Sequence, residues 1–154
     1  MSIKSFRVLL ADDDKDDCLF FKEAIEGVIS DENFTAVHDG EQLMQWLENK
    51  INRLPDILFL DLNMPRKNGF ECLAEIKQNK KLDVLPVVIF STSFEQEVVN
   101  LLYENGAKYF IRKPSEFSQF KKIILHTLSL ILQKNILQPG PENFVLTVEN
   151  SLVD

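Results

Sequence analysis

Four apolar segments of this sequence each end at side chains that could take part in chemistry. Carboxylates, hydroxyls and basic groups stand where the segments stop: Asp12, Asp13, Asp61, Ser91, Thr92, Arg112 and Lys113. Apolar segments rich in strand-forming residues are typical of buried strands, so each polar group marks a strand end. One aspartate at a strand end is weak evidence, because aspartate is common where turns begin. Four strands that all end in this way are a specific signal of a functional site.

The acidic residues Asp12, Asp13 and Asp61 would repel one another if the fold brought them into one crevice. Two unit charges ~4 Å apart cost about 1 kcal/mol in water and about 4 kcal/mol at an effective dielectric of ~20. Protonation or a bound cation relieves such repulsion. A hard divalent ion with oxygen ligands and several retained waters fits, which favours Mg²⁺. With a hydroxyl and an ammonium group facing the same point, the set predicts phosphoryl transfer to a carboxylate.

Five strands that alternate with five helices would bring these residues together. The strands are predicted at residues 6–11, 34–38, 56–60, 87–90 and 108–112. Apolar residues at helical spacing predict helices at residues 14–29, 41–50, 70–79, 95–105 and 116–134. Such alternation predicts an α/β fold, with a doubly wound, five-stranded parallel sheet covered by helices on both faces. In the order 2-1-3-4-5 the first and third strands are neighbours, and Asp12, Asp13 and Asp61 share one crevice.

The composition is that of an acidic domain with one hydrophobic core. The 154 residues carry a net charge of −7, with a pI of about 4.9. This charge argues against binding to nucleic acid or to an anionic membrane. No apolar segment reaches the ~18 residues of a membrane span, and the N-terminus lacks a signal-peptide core. Cys18 and Cys72 fall in predicted helices and are interpreted as reduced packing thiols, which predicts a cytoplasmic protein.

The order of these motifs resembles the receiver domains of two-component response regulators. The matching pieces are Asp12-Asp13, Asp61 with Met64-Pro65 and Gly69, Ser91-Thr92, and Lys113-Pro114. The resemblance covers about residues 5–134 and implies a flavodoxin-like, three-layer receiver fold. It also implies that Asp61 accepts a phosphoryl group, with Mg²⁺ as cofactor. The ligands that it implies for the ion are Asp13, Asp61 and the backbone carbonyl of Asn63 directly, and Asp12 mainly through water.

The resemblance gives roles to Ser91, Lys113 and Phe110 as well. The Ser91 hydroxyl and the Lys113 ammonium would each hold a phosphoryl oxygen, and with Asp61 they are the predicted catalytic residues. Ser91 would turn toward the phosphoryl group and Phe110 would swing inward behind it, so this pair is the predicted switch. The Lys113–Pro114 peptide bond is expected to be cis, since only bonds before proline adopt cis cheaply.

A histidine kinase or a histidine phosphotransfer protein is the phosphoryl donor that the resemblance implies. Residues 1–135 would form the receiver domain, and residues 136–154 a C-terminal tail too short for an effector domain. The chain is therefore expected to signal by binding a protein, through its fourth helix, fifth strand and fifth helix. That downstream protein is left open, as is a homodimer. The chain would not be an enzyme with a separate substrate, although receivers catalyse their own phosphorylation and dephosphorylation.

The tail contains one more strand-like segment, at residues 144–148, after prolines 139 and 141 break the last helix. We expect the tail to pack on the domain or on the sheet edge of a neighbouring chain. A peptide that docks on another protein is the alternative.

Other interpretations of the same residues are weaker. An aspartyl phosphatase needs a second acid two residues after its nucleophile, where this chain has Asn63. The acids of residues 12–23 imitate a calcium loop, but Asp17 occupies the position that needs glycine. Asp14, Asp16 and Asp17 are interpreted as acids that stabilise a helix N-terminus. A receiver-like module that binds partners without phosphorylation is the more serious rival, although the complete set of motifs argues against it.

Overall fold

A parallel sheet between two layers of helices forms the body of the computed structural model, which describes residues 3–133 and 137–148. The strands are β1 (Val8–Ala11), β2 (Phe34–Val37), β3 (Ile57–Leu60), β4 (Val87–Ser91), β5 (Tyr109–Arg112) and β6 (Val145–Leu146). The helices are α1 (Lys15–Ile25), α2 (Gly40–Glu48), α3 (Gly69–Gln78), α4 (Gln96–Glu104) and α5 (Phe117–Leu132). The predicted ends of the last helix, at residue 134, and of the domain, at residue 135, lie outside the described residues.

Within the described residues the sheet has six strands and not five, which corrects the prediction. Its order is β2-β1-β3-β4-β5-β6, and all neighbouring strands are parallel. The first five strands follow the predicted order 2-1-3-4-5, so β1 lies beside β3. The sixth strand comes from the tail, where Val145 pairs with Phe110 and Leu146 pairs with Ile111. It joins because Phe144 is buried in the core, which brings the backbone that follows it against β5.

Helix α1 is shorter than the sequence predicts. Asp14 caps its N-terminus, since its side chain accepts hydrogen bonds from the backbone N–H groups of Asp16 at 2.9 Å and Asp17 at 3.2 Å. The helix ends at Ile25 and not at residue 29. The chain turns at Gly27, whose φ of +80° does not continue a right-handed helix.

Apolar side chains pack against both faces of the sheet. On one face α1 and α5 cover a cluster of aromatic rings from Phe21, Phe59, Phe90 and Phe120. These rings meet edge to face, with centroids 4.8 to 6.4 Å apart. On the other face α2, α3 and α4 cover a second cluster. The three-layer arrangement is therefore confirmed, and the strand ends are held from both sides. Within the part of the chain described, no helix has both the length and the apolar character that crossing a membrane requires.

The described tail residues, 137–148, lie along α4 and β5. The Tyr103 hydroxyl of α4 donates a hydrogen bond to the Pro139 carbonyl oxygen at 2.7 Å. The Gln138 amide donates to the carbonyl oxygens of Tyr103 at 2.8 Å and Ala107 at 2.6 Å. The Phe144 ring is 1% exposed and meets the Tyr103 ring edge to face at 5.1 Å. The tail therefore packs on its own domain, which is one of the two arrangements expected from the sequence.

Candidate functional site

Asp12 and Asp61 lie close together because β1 and β3 are neighbours. Ala11 pairs with Leu60, and the Asp61 backbone N–H donates a hydrogen bond to the Ala11 carbonyl oxygen at 2.9 Å. The next residue of each strand therefore emerges at the same edge of the sheet. Carboxylate oxygens of Asp12, Asp13 and Asp61 lie within 4.8 Å of one another. Asp12 is fully buried, Asp61 is 6% exposed and Asp13 is exposed, so solvent reaches this acidic cluster at Asp13.

The Lys113 ammonium neutralises part of the negative charge. Its Nζ donates hydrogen bonds to Asp12 Oδ2 at 2.7 Å and to Asp17 Oδ2 at 2.9 Å, and it lies 3.9 Å from Asp61 Oδ1. The Lys113 side chain is only 5% exposed, and Nζ lies 5.2 Å from the centroid of the Phe90 ring. Three carboxylates around one ammonium leave a net negative charge, which favours a bound cation.

The pKa values of Asp61 and Lys113 are both raised, but for different physical reasons. The pKa of Asp61 is raised from 3.8 to about 7, mainly by burial and also by the charges of Asp12 and Asp13, against the Lys113 charge and a hydrogen bond from the Asn63 backbone. Burial by itself lowers the pKa of Lys113, but the hydrogen bonds to Asp12 and Asp17 and the charges of Asp12 and Asp61 outweigh this and raise it. Lys113 is therefore a cation, whereas Asp61 is partly protonated near pH 7 in the metal-free protein. A divalent cation would favour the ionised carboxylate.

The loop after Asp61 is packed closely against α3. The Gly69 backbone N–H donates a hydrogen bond to the Leu62 carbonyl oxygen at 3.0 Å. A Cβ at Gly69 would collide with the Asp61 carbonyl oxygen and lie 2.8 Å from Leu62 Cα, so a glycine is required there. Arg66 adopts a φ of +70°, and its guanidinium lies 3.6 Å from the Asp39 carboxylate. These contacts fix the backbone that follows the Asp61 carboxylate.

Ser91 and Phe110 lie on the adjacent strands β4 and β5, and both are buried. The Ser91 carbonyl oxygen accepts a hydrogen bond from the Lys113 backbone N–H at 2.8 Å. The Ser91 hydroxyl lies 3.3 Å from Ser93 Oγ and accepts a hydrogen bond from the Ser93 backbone N–H at 3.3 Å. The Phe110 ring meets the Phe94 ring edge to face at 5.8 Å. The predicted switch residues thus lie on adjacent strands, two positions apart in register, and the Ser91 hydroxyl interacts with the loop that follows its own strand.

The expectation of a cis bond between Lys113 and Pro114 is wrong, because every described peptide bond is trans. The Lys113 backbone is held by Ser91, and its Nζ by Asp12, so the side chain turns inward without a cis bond. Asn63 is exposed and donates a backbone hydrogen bond to the Asp61 carboxylate. The role of the Asn63 carbonyl as a metal ligand stays a prediction.

Asp17 belongs to the site, although the sequence alone indicates only an acid that stabilises a helix. It lies in the first turn of α1, which begins two residues after Asp13. This closeness of the helix start to the end of β1 is the signal that could have placed Asp17 beside the acidic cluster. The contact between Phe94 and Phe110 joins a loop to a distant strand, and no local pattern indicates it.

Comparison with known proteins finds the family that the sequence motifs resemble. The family model of the response regulator receiver domain matches residues 8–125. Response regulator Rcp1 of Synechocystis sp. is 32% identical over 121 residues, which are 76% of this chain and 82% of that protein. The probable methanogenesis regulatory protein FilR2 of Methanothrix harundinacea is 27% identical over 139 residues, which are 88% of this chain and 89% of that protein.

Solved structures share the fold. The phosphorylated cyanobacterial phytochrome response regulator RcpA superposes with a TM-score of 0.76 at 30% identity, covering 84% of this chain and 96% of that one. The Mn²⁺-bound form of Rcp1 superposes with a TM-score of 0.70 at 28% identity, covering 88% and 100%. The family match extends over most of the chain, and the sheet and acidic cluster agree with it. This chain therefore belongs to the response regulator receiver domain family of two-component signalling.

Proposed function

We propose that this receiver accepts a phosphoryl group on Asp61 from a phosphohistidine of a histidine kinase or a histidine phosphotransfer protein, with Mg²⁺ as cofactor. The position of the Asp61 carboxylate carries the proposal. It is buried at the end of β3, within 4.8 Å of Asp12 and Asp13, and 3.9 Å from the Lys113 ammonium. An acceptor, a site for a divalent ion and a fixed cation thus share one crevice. Phosphoryl transfer depends mainly on such positioning and charge neutralisation.

In the proposed reaction an ionised oxygen of Asp61 attacks phosphorus. The P–O bond to Asp61 forms, the P–N bond to the donor histidine breaks, and the electron pair returns to the imidazole nitrogen. Lys113 neutralises charge on one phosphoryl oxygen, and the Ser91 hydroxyl donates a hydrogen bond to another. Self-catalysed dephosphorylation uses water: a new P–O bond forms, the bond to Asp61 breaks, and phosphate and a free carboxylate result. The chain acts as a phosphoacceptor signalling domain, because its own side chain is modified.

The proposed metal ligands are all oxygen donors, as a hard divalent cation requires. They are the carboxylates of Asp12, Asp13 and Asp61 and the backbone carbonyl of Asn63, with Asp12 acting mainly through water. When bound, Mg²⁺ supplies positive charge beside the phosphoryl oxygens. The residues fit such an ion for two reasons. Oxygen atoms of the three acids converge within 4.8 Å, and the pKa of about 7 at Asp61 reflects a buried charge that lacks full compensation.

Signalling would follow from a change at Ser91 and Phe110, the proposed switch. If Ser91 turned from Ser93 toward a phosphoryl oxygen, the space it left could be filled by movement of Phe110. We propose that the output surface comprises α4, β5 and α5 of the receiver domain, residues 1–135. Residues 137–148 of the tail lie on α4 and β5, so a protein that binds this surface, or a second copy of the chain, would also contact the tail.

Labelling with acetyl phosphate and Mg²⁺ tests the proposal. Mass spectrometry should show one added phosphoryl group on the wild-type protein, and Asp61→Asn should show none. Asp31→Asn is the matched control, because it removes an exposed carboxylate away from the site and should be labelled at the wild-type rate. A wild-type protein that gains no mass would favour the rival function, a module that binds partners without phosphorylation. Labelling of Asp61→Asn at the wild-type rate would show that another residue is the acceptor.

A further inference from the structure

Lys113 has a carboxylate partner outside the acidic cluster. Its Nζ donates hydrogen bonds to two carboxylates, Asp12 at 2.7 Å and Asp17 at 2.9 Å. Asp12 belongs to the cluster that could hold a metal ion, whereas Asp17 is not one of its three members. Asp17 is carried by the first turn of α1, and its side chain is 21% exposed. Lys113 is therefore held by one carboxylate of the acidic cluster and by one carboxylate outside it.

The two hydrogen bonds leave Lys113 only a long contact with the acceptor. An ammonium group has three N–H donors, and Asp12 and Asp17 each receive one. The distance of 3.9 Å between Nζ and Asp61 Oδ1 exceeds the range of a hydrogen bond. A charge-assisted bond to a phosphoryl oxygen needs about 2.7–2.9 Å. The third N–H is available to a phosphoryl oxygen on Asp61, and the attraction of Nζ to Asp17 would oppose a closer approach to it.

The hold of Asp17 on Lys113 would persist when a cation is bound. A divalent ion at the acidic cluster shares the charge of Asp12, which weakens the attraction between Asp12 and Lys113. Asp17 keeps its full charge, because it lies outside that cluster. Its side chain is mostly shielded from solvent, so its attraction for the buried ammonium is screened only in part.

We propose that Asp17 is a positioning residue for Lys113. It holds the ammonium toward α1 while Asp61 is unmodified, and it competes with the phosphoryl group for that ammonium once Asp61 carries one. This inference rests on the proposed function of Asp61. It assigns to Asp17 control over how strongly the phosphorylated state is favoured, without contact with the reacting atoms.

Replacement of Asp17 should strengthen the phosphorylated state. Asp17→Asn removes the competing charge but keeps the size of the side chain. The variant should therefore bind beryllofluoride with Mg²⁺ about threefold to fivefold more tightly than the wild type. Asp17→Glu restores the charge and should return the affinity toward the wild-type value. NMR titration of the Phe110 backbone amide measures the half-saturating concentration of beryllofluoride.

Asp16→Asn is the matched control. Asp16 lies in the same first turn of α1, is exposed, and offers the same charge to the helix dipole. It should change the beryllofluoride affinity by less than about twofold, because exposed charges are screened by solvent and salt. A second readout is the ¹⁵N resonance of the Lys113 ammonium in the metal-free protein. This resonance should shift in Asp17→Asn and stay in place in Asp16→Asn.

The outcomes separate this inference from the proposed function. If the wild type takes no label from acetyl phosphate and does not bind beryllofluoride, the proposed function is wrong and the inference falls with it. If the wild type is labelled but Asp17→Asn and Asp16→Asn have equal affinities, only the role of Asp17 is overturned. An unmoved Lys113 resonance in Asp17→Asn would overturn it as well.

Discussion

The backbone N–H of Phe110 donates a hydrogen bond to the carbonyl oxygen of Phe144, at 3.0 Å. Both side chains are 1% exposed and belong to the same cluster on one face of the sheet. The tail is thus hydrogen-bonded directly to Phe110, the residue of β5 that we assign to the switch. Movement of Phe110 and attachment of the tail are expected to affect each other.

Shortening Phe144 to alanine should loosen the tail from β5. Loss of a buried phenylalanine side chain costs about 3 kcal/mol or more. Because the tail can open without unfolding the sheet, most of this cost should appear as local opening. Hydrogen exchange of the Phe110 amide should speed up by about a hundredfold, since ~3 kcal/mol corresponds to two factors of ten. Leu137→Ala is the control, because that side chain is 72% exposed and should leave the exchange rate unchanged. Equal exchange rates of the Phe110 amide in Phe144→Ala and in wild type would contradict this link between the tail and β5.

The raised pKa of Asp61 predicts a stability that falls as the pH rises. The pKa is about 7 in the folded, metal-free protein, against 3.8 for an unshifted group. Between these values the folded state binds the proton more tightly than the unfolded state does, so the free energy of unfolding falls from about pH 4 to pH 7. Asp61→Asn removes this loss and should be more stable than wild type at pH 8, by roughly 4 kcal/mol. The two proteins should differ little at pH 4.

Urea denaturation at both pH values, without divalent ions, measures this difference. Asp31→Asn is the control, since its carboxylate is exposed. Addition of Mg²⁺ at pH 8 should stabilise the wild type more than Asp61→Asn, because binding to the folded state alone raises its stability. A stability gain in Asp61→Asn that is equal at pH 4 and pH 8 would argue against a buried Asp61 carboxyl group with a raised pKa.

Gly69→Ala should disturb the loop that follows Asp61. The added Cβ would collide with the Asp61 carbonyl oxygen and approach Leu62 Cα to 2.8 Å, and both are backbone atoms that cannot rotate away. We expect a loss of about 1–3 kcal/mol in unfolding free energy and slower labelling by acetyl phosphate. Ala74→Gly serves as control at an exposed position of α3. It should cost about 1 kcal/mol without slowing the labelling. Wild-type stability and labelling in Gly69→Ala would refute the packing argument.

Ser91→Ala and Lys113→Ala should fail in different ways. Ser91→Ala is expected to keep divalent-ion binding, but the Phe110 resonance should no longer shift with beryllofluoride, because the hydroxyl that couples them is missing. Lys113→Ala should weaken beryllofluoride binding itself, since a charge is lost and not merely a hydrogen bond. Arg112→Ala removes an exposed neighbouring cation and should behave as wild type. A normal Phe110 response in Ser91→Ala would remove Ser91 from the switch.

The sequence predicts the first five strands because they alternate with helical patterns, and four of them end an apolar segment at polar residues. The same logic brings Asp12, Asp13 and Asp61 together, since carboxyl ends of parallel strands meet at one edge. The sixth strand could be predicted as a strand but not assigned to β5, because its two paired residues give no signal of their partner.

Contacts between residues that are far apart along the chain could not be predicted from the sequence. Asp17 looks like any acid at a helix start, and its bond to Lys113 joins residues 96 positions apart. The turn at Gly27 ends α1 early even though the apolar spacing continues to residue 29. The Lys113–Pro114 bond is trans, although the sequence at this proline is compatible with either isomer.

The length of β6 also bears on how the protein resists aggregation. An exposed strand edge offers unpaired backbone groups on which another chain can add a strand, and short edge strands limit this. Without the tail, β5 would present four residues at the edge; β6 presents two. The net charge of −7 repels other copies, and the blunted edge gives them little backbone to pair with. Removal of the tail should therefore lower the concentration at which this receiver begins to precipitate.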